Sequence, residues 1–162
     1  MKLRVTLISV LAALAALLTV APAIQALSVN FDVTAAKKAD GNYTDGIQSA
    51  NVSQGKTKLF FWRVESTSLN DQPISFDDAA TADSGGEDYR IKWYKGKKPK
   101  GSKDISHDVQ TAGFNFTLKA GKRKHFTAEV TPKPGAGTLC LGGQASNMGS
   151  DSAYFEVNGI CN

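Results

Sequence analysis

Apolar and polar residues alternate with period two along most of this chain, and the i, i+3, i+4 spacing of an amphipathic helix does not recur. Leu27, Val29, Phe31 and Val33 alternate with Ser28, Asn30 and Asp32, which predicts a first strand. Phe60, Trp62 and Val64 then alternate with Phe61, Arg63 and Glu65, and the large aromatics suggest a central strand. Tyr89, Ile91 and Trp93 follow, then Phe114, Phe116 and Leu118, then Phe126, Ala128 and Val130. The last two predicted strands, 138–146 and 153–160, flank a polar turn over 147–152.

Turn residues separate these runs, at Asp40-Gly41-Asn42, Asn70-Asp71-Gln72-Pro73, Ser84-Gly85-Gly86, Gly96 and Ala120-Gly121 among others. About seven short strands punctuated in this way predict an all-β, immunoglobulin-like two-sheet sandwich. A closed barrel is the alternative. Trp62 and Trp93 fall on the apolar phase and are expected in the core, whereas Phe61 and Tyr94 fall on the opposite phase and are candidates for an exposed aromatic platform.

Composition changes this picture at the N-terminus. Lys2 and Arg4 precede an apolar run from Val5 to Val20, and small residues follow at Ala21, Ala23 and Ala26, the order of a secretory signal. The run of about sixteen residues falls short of the ~20 needed to span a membrane. Residues 1–26 are therefore read as a cleaved signal peptide and 27–162 as one sandwich domain of a secreted, extracellular protein without a transmembrane segment.

The only two cysteines, Cys140 and Cys161, are expected to form a disulfide in that oxidising setting. A register of the final hairpin that sets them opposite each other would support the bridge. Without Lys2 and Arg4 the chain keeps 17 basic residues against 15 acidic ones. Such a balance argues against a dedicated nucleic-acid binder, which needs a concentrated basic face.

What charge there is comes in clusters. Lys92, Lys95, Lys97, Lys98, Lys100 and Lys103 crowd a hairpin tip around Gly96, Pro99 and Gly101, and Lys119, Lys122, Arg123 and Lys124 crowd another turn. If the two turns share one end of the sandwich they offer a patch for an anionic cell-wall polymer, a polysaccharide or a protein. The plainer role of such lysines is to keep strand edges from pairing with other chains.

Asp77, Asp78, Asp83, Glu87 and Asp88 form an acidic loop over 77–88, the alternative site, for calcium or for hydrolysis by a small secreted protein. Asp40-Gly41-Asn42-Tyr43-Thr44-Asp45-Gly46 approaches a calcium loop but carries one residue too many before its second carboxylate. His107 and Asp108 are sequence neighbours without a G-x-S-x-G elbow, and Cys140 with Met148 lacks the two histidines of a blue-copper site. No catalytic residue, metal or cofactor is assigned.

From Tyr89-Arg90-Ile91-Lys92-Trp93-Tyr94 through Gly96, Asp104-Ile105-Ser106, Leu118-Lys119-Ala120-Gly121 and Val130-Thr131-Pro132, the C-terminal half resembles the immunoglobulin-like, fibronectin-III-like modules of bacterial exported and cell-surface proteins. Ala120 stands where those modules commonly carry a proline. The resemblance implies a non-enzymatic spacer, adhesion or accessory unit.

Overall fold

A computed structural model describes residues 29–79 and 86–161. The signal-peptide reading, Leu27, Ser28 and Asp83 lie outside the described residues.

Among the described residues nine strands form two sheets. Sheet 1 has the order β1-β3-β7-β5, from β1 (Phe31–Ala36), β3 (Lys58–Ser66), β5 (Tyr89–Lys95) and β7 (Arg123–Pro132). Sheet 2 has the order β2-β9-β8-β4-β6, from β2 (Gly46–Ala50), β4 (Gln72–Asp78), β6 (Phe114–Leu118), β8 (Leu139–Ser146) and β9 (Ser150–Val157). All neighbours are antiparallel except β2 and β9. Taken as strands A, B, E and D, sheet 1 reproduces the first sheet of an immunoglobulin sandwich, and β9, β8 and β4 stand where G, F and C do in the second. The chain therefore folds as an immunoglobulin-like two-sheet sandwich.

The inward phase follows the alternation. Phe60, Trp62 and Val64 on β3, Phe126, Ala128 and Val130 on β7, and Leu139 and Leu141 on β8 are fully buried. The two tryptophans meet at 4.8 Å between ring centroids, and Phe76 stacks on Phe126 at 4.0 Å. Gly143 makes room for this aromatic layer: a Cβ there would come within 2.7 Å of Trp62 Cδ1 and 2.9 Å of Phe76 Cζ. The Trp62 indole donates to Ala153 O at 2.9 Å, while the equally buried Trp93 Nε1 has no partner among the described residues.

Three elements depart from the expected pattern. Asn70-Asp71-Gln72-Pro73 predicts a turn, yet β4 starts at Gln72, with Ile74 and Phe76 carrying its inward phase. Strand β2 is an edge strand with an exposed face and so shows no alternation. A short helix, α1 (Ser106–Thr111), closes the flank between β5 and β4 with Ile105 and Val109 buried in the core.

Cys140 and Cys161 form the expected disulfide, with Cα atoms 5.7 Å apart. The hairpin register is not the one expected, because Cys140 faces Glu156. Asn147 shortens the turn, its Oδ1 accepting from the Met148 and Gly149 amides, so that Ser146 already pairs with Ser150. The chain then turns back after β9 at Asn158, which has φ +61 and is held by two hydrogen bonds with Val52. That reversal carries Cys161 to Cys140, and Glu156 Oε1 accepts from the Cys161 amide at 3.2 Å.

Candidate functional site

Because β5 runs antiparallel to β7, the end of β5 lies beside the start of β7, and Lys95 pairs with Phe126. The Gly96 amide donates to His125 O at 2.7 Å, and Thr127 Oγ1 donates to Gly96 O at 2.6 Å. Gly96 adopts φ +123, a backbone region that side chains disfavour. The loop after β5 and the turn before β7 therefore sit at the same end of the sandwich, where the Ser66 amide also donates to Lys122 O at 2.9 Å.

Apart from Lys92, which lies within β5, the nine other basic residues of the two clusters take different directions. Lys95 and Lys103 place their ammonium groups over the Phe114 ring, at 5.6 and 5.7 Å from its centroid. Lys97 pairs with Asp40 at 2.9 Å, and Lys119 pairs with Asp71 at 2.7 Å while Asp71 also accepts from the Ala120 amide. These bonds hold the Asp40 and Asp71 carboxyls below the usual carboxylate range. Lys98, Lys100, Lys122, Arg123 and Lys124 have no ion-pair partner among the described residues. Two turns thus share one end, but the lysines do not form one continuous sheet of charge, since the inward phase of β5 carries Lys95 toward the flank of the sandwich.

A second layer at this end, invisible in the clusters, is built on the outer face of sheet 1. Residues 37–45 leave β1, cross that face to bring Asp40 to Lys97, and return to the edge of β1, where Ala35 and Thr44 exchange two 2.9 Å backbone bonds. Tyr43 lies on the face itself. The Arg63 guanidinium sits 4.9 Å from its ring centroid, and the His125 ring packs edge-on at 5.7 Å. Arg63 and His125 are direct cross-strand partners, as are Glu65 and Arg123. Arg63 Nε lies 3.2 Å from Glu65 Oε2, an ion pair whose angle does not make a hydrogen bond. Burial, and then the positive charges of Lys97, Arg123 and Arg63, lower the His125 pKa to about 4, so the imidazole is neutral at physiological pH. The sequence signal that could have found these residues was the polar phase of β3 against that of β7.

The same segment explains why Phe61, an expected platform residue, is 6% exposed. It shares the covered face with Arg63 and cannot present its ring to a ligand, and Tyr94 is half-buried.

The acidic loop does not assemble as a metal site within the part described. Asp77, with its carboxyl raised by burial, ends β4 with Asp78, and Glu87 and Asp88 lie in a single 3-10 turn at Gly86–Asp88 whose backbone oxygens are taken by Lys133. Among the described residues no three His, Cys, Asp or Glu side chains come together to hold a metal ion. In the 40–46 segment Asp40 turns to Lys97 while Asp45 faces Asp32, so its carboxylates diverge. His107 is exposed on α1, where its carbonyl accepts from Thr111 Oγ1. A depression of about 640 Å³ lies on the outer face of sheet 2, lined by Pro73, Phe116 and Met148 together with small polar side chains.

No protein-family model matches the chain, and no curated protein matches it. Among solved structures it is similar to a family 123 glycoside hydrolase from Clostridium perfringens, with TM-score 0.47, 9% identity, 80% of this chain covered and 27% of that one. The chain thus spans about a quarter of that hydrolase. A FixG-related protein from Vibrio parahaemolyticus gives TM-score 0.46 and 7% identity, with 83% of this chain and 100% of that one covered. A PapD-like domain of human CEP192 gives TM-score 0.45 and 7% identity over 83% and 88%. No helix among the described residues is long and apolar enough to cross a membrane.

Proposed function

We propose that this chain is an exported, fibronectin-III-like module, without catalytic activity, that binds an anionic polymer through its basic end. The observation that carries this reading is the bond from the Gly96 amide to His125 O, which ties the 96–103 loop to the start of β7 and so joins the two lysine-bearing turns. A rigid sandwich with exposed, unpaired Lys98, Lys100, Lys122 and Arg123 at one end suits long-range attraction to a polyanion, and that attraction is screened by salt. The disulfide is in keeping with an oxidising compartment.

The test is retention on dextran-sulfate resin against uncharged dextran. The native chain is expected to bind the first and to elute as salt rises. Replacing Lys98, Lys100 and Lys122 together by Glu is expected to abolish retention, and undiminished retention of this variant overturns the reading.

A further inference from the structure

His125 is a half-buried group at the basic end on which four separate parts of the chain converge. Arg63 reaches it from β3 as its direct cross-strand partner, with Cβ atoms ~4.5 to 5.5 Å apart in such pairs. Arg123 stands two residues earlier on the same face of β7, about 7 Å along the strand. Lys97 follows Gly96, whose amide is bonded to His125 O. Tyr43 closes the remaining side with its ring. The imidazole nitrogens have no hydrogen-bond partner among the described residues and are not sealed from solvent, and the Arg63 guanidinium, fixed over Tyr43, likewise makes no hydrogen bond there.

Two carboxylates answer part of this charge. Glu65 lies beside Arg63 and across from Arg123, and Asp40 bonds Lys97. The Asp40–Lys97 pair is exposed on both sides, so a ligand can exchange for Asp40 at little cost.

Resting on the polymer-binding reading, we propose that this cluster seats one tetrahedral oxyanion, a sulfate or phosphate group of the polymer, between Arg63, Lys97, Arg123 and the His125 imidazole. A planar guanidinium and a neutral imidazole suit such a group, the first giving paired N–H donors and the second taking up a proton as the anion arrives. Anion affinity then rises as pH falls, because the ligand and the proton favour each other.

The experiment follows the ring resonances of both histidines by NMR between pH 3 and 8, in sodium sulfate from 0 to 50 mM, with sodium chloride holding ionic strength constant. His107, exposed on α1, is the internal control. The expected result is a saturable rise of at least one unit in the His125 pKa from its resting value near 4, with His107 unmoved. The shift should vanish in Arg123→Gln, an exposed position that leaves the fold intact. Inorganic phosphate and acetate form parallel arms: a rise with sulfate alone or phosphate alone identifies the group, and an equal rise with acetate overturns a tetrahedral seat. No rise, or an equal rise at both histidines, overturns the site itself. The outcome is separable from the polymer reading, since the Lys98, Lys100 and Lys122 replacements that test retention leave the groups around His125 in place.

Discussion

On the outer face of sheet 1, Thr34, Ala36, Phe61 and Thr127 are buried, whereas the outer face of sheet 2 leaves Ile47, Pro73, Asn115 and Thr117 to solvent. Apart from the edge strand β2, both sheets obey the same inward alternation, so the inner core does not account for the difference. It comes from the segment 37–45, which lies across sheet 1 and is held by the Ala35–Thr44 bonds at one side and Lys97 at the other. Sheet 2 has no such strap among the described residues, and its one buried outward-facing side chain of note is Cys140, 7% exposed and tied to Cys161. A face that alternation alone marks as polar becomes a second, charged layer when a loop covers it, and the candidate site lies in that layer.

The two faces differ most at Phe61. Phe61→Ala is expected to cost about 3 kcal/mol, at the low end for a buried phenylalanine because it lies on the outer face of its sheet and not in the core between the sheets. Thr117→Ala, on the matching face of sheet 2, is expected to fall within about 0.5 kcal/mol of the native chain. Urea unfolding of both variants measures the contrast, and equal losses would mean the two faces are not differently built.

The disulfide is the counterpart on sheet 2. Replacing both Cys140 and Cys161 by Ser opens a loop with a sequence separation of 21, and on the chain-entropy model this costs about 3 kcal/mol. The loss should not move the His125 resonances, because the bridge lies on the opposite sheet. A change at His125 would show the two faces to be coupled.

Acidification probes the strap. The folded pKa of His125, about 4, lies below its ordinary value of 6.5, so as pH falls the unfolded chain takes up the proton first. The stability from keeping this ring neutral is complete above pH 6.5 and is lost progressively toward pH 4. Its size is about 1 kcal/mol once solvent screening is allowed for. Arg63, Lys97, Arg123 and Glu65 are the charged groups facing the ring. Removing its Tyr43 neighbour with Tyr43→Ala should admit water and raise the folded pKa toward 6.5, which flattens this part of the pH profile. Asp32, whose carboxyl is raised by burial and by Asp45 and Asp151, titrates with the opposite sign, so the ring resonance of His125 is the cleaner readout.

The inner core was legible because hydrophobic burial imposes period two wherever a strand has one dry face, and β3, β5, β6 and β7 all display it. Strand β4 was masked by Pro73, a residue tolerated there because β8 pairs only with the stretch from Ser75 onward. The disulfide was legible from the count of cysteines and the register was not, since three residues of turn and a reversal at Asn158 shift it without altering either strand's pattern. Of the site, the lysine turns were visible as runs. Arg63, His125 and Tyr43 were not, because their meeting depends on a cross-strand pairing and on where a loop of nine residues returns.

The smallest effects belong to the two surface ion pairs, which differ in where they are felt. Lys97→Met breaks the bond to Asp40 at the strap on sheet 1, and Lys119→Met breaks the bond to Asp71 at the end of β6 on sheet 2. Both pairs are exposed, so each loss of stability should be below those above and should disappear in 1 M salt, where the Debye length is about 3 Å. The two variants differ in what else moves. Lys97 is one of the charges that lower the His125 pKa, so Lys97→Met should raise it, whereas Lys119→Met should leave it in place because Lys119 is not among those charges. Equal shifts in both variants would mean that the end of the sandwich acts through its summed field; a shift in Lys97→Met alone places the effect in the layer beneath the strap.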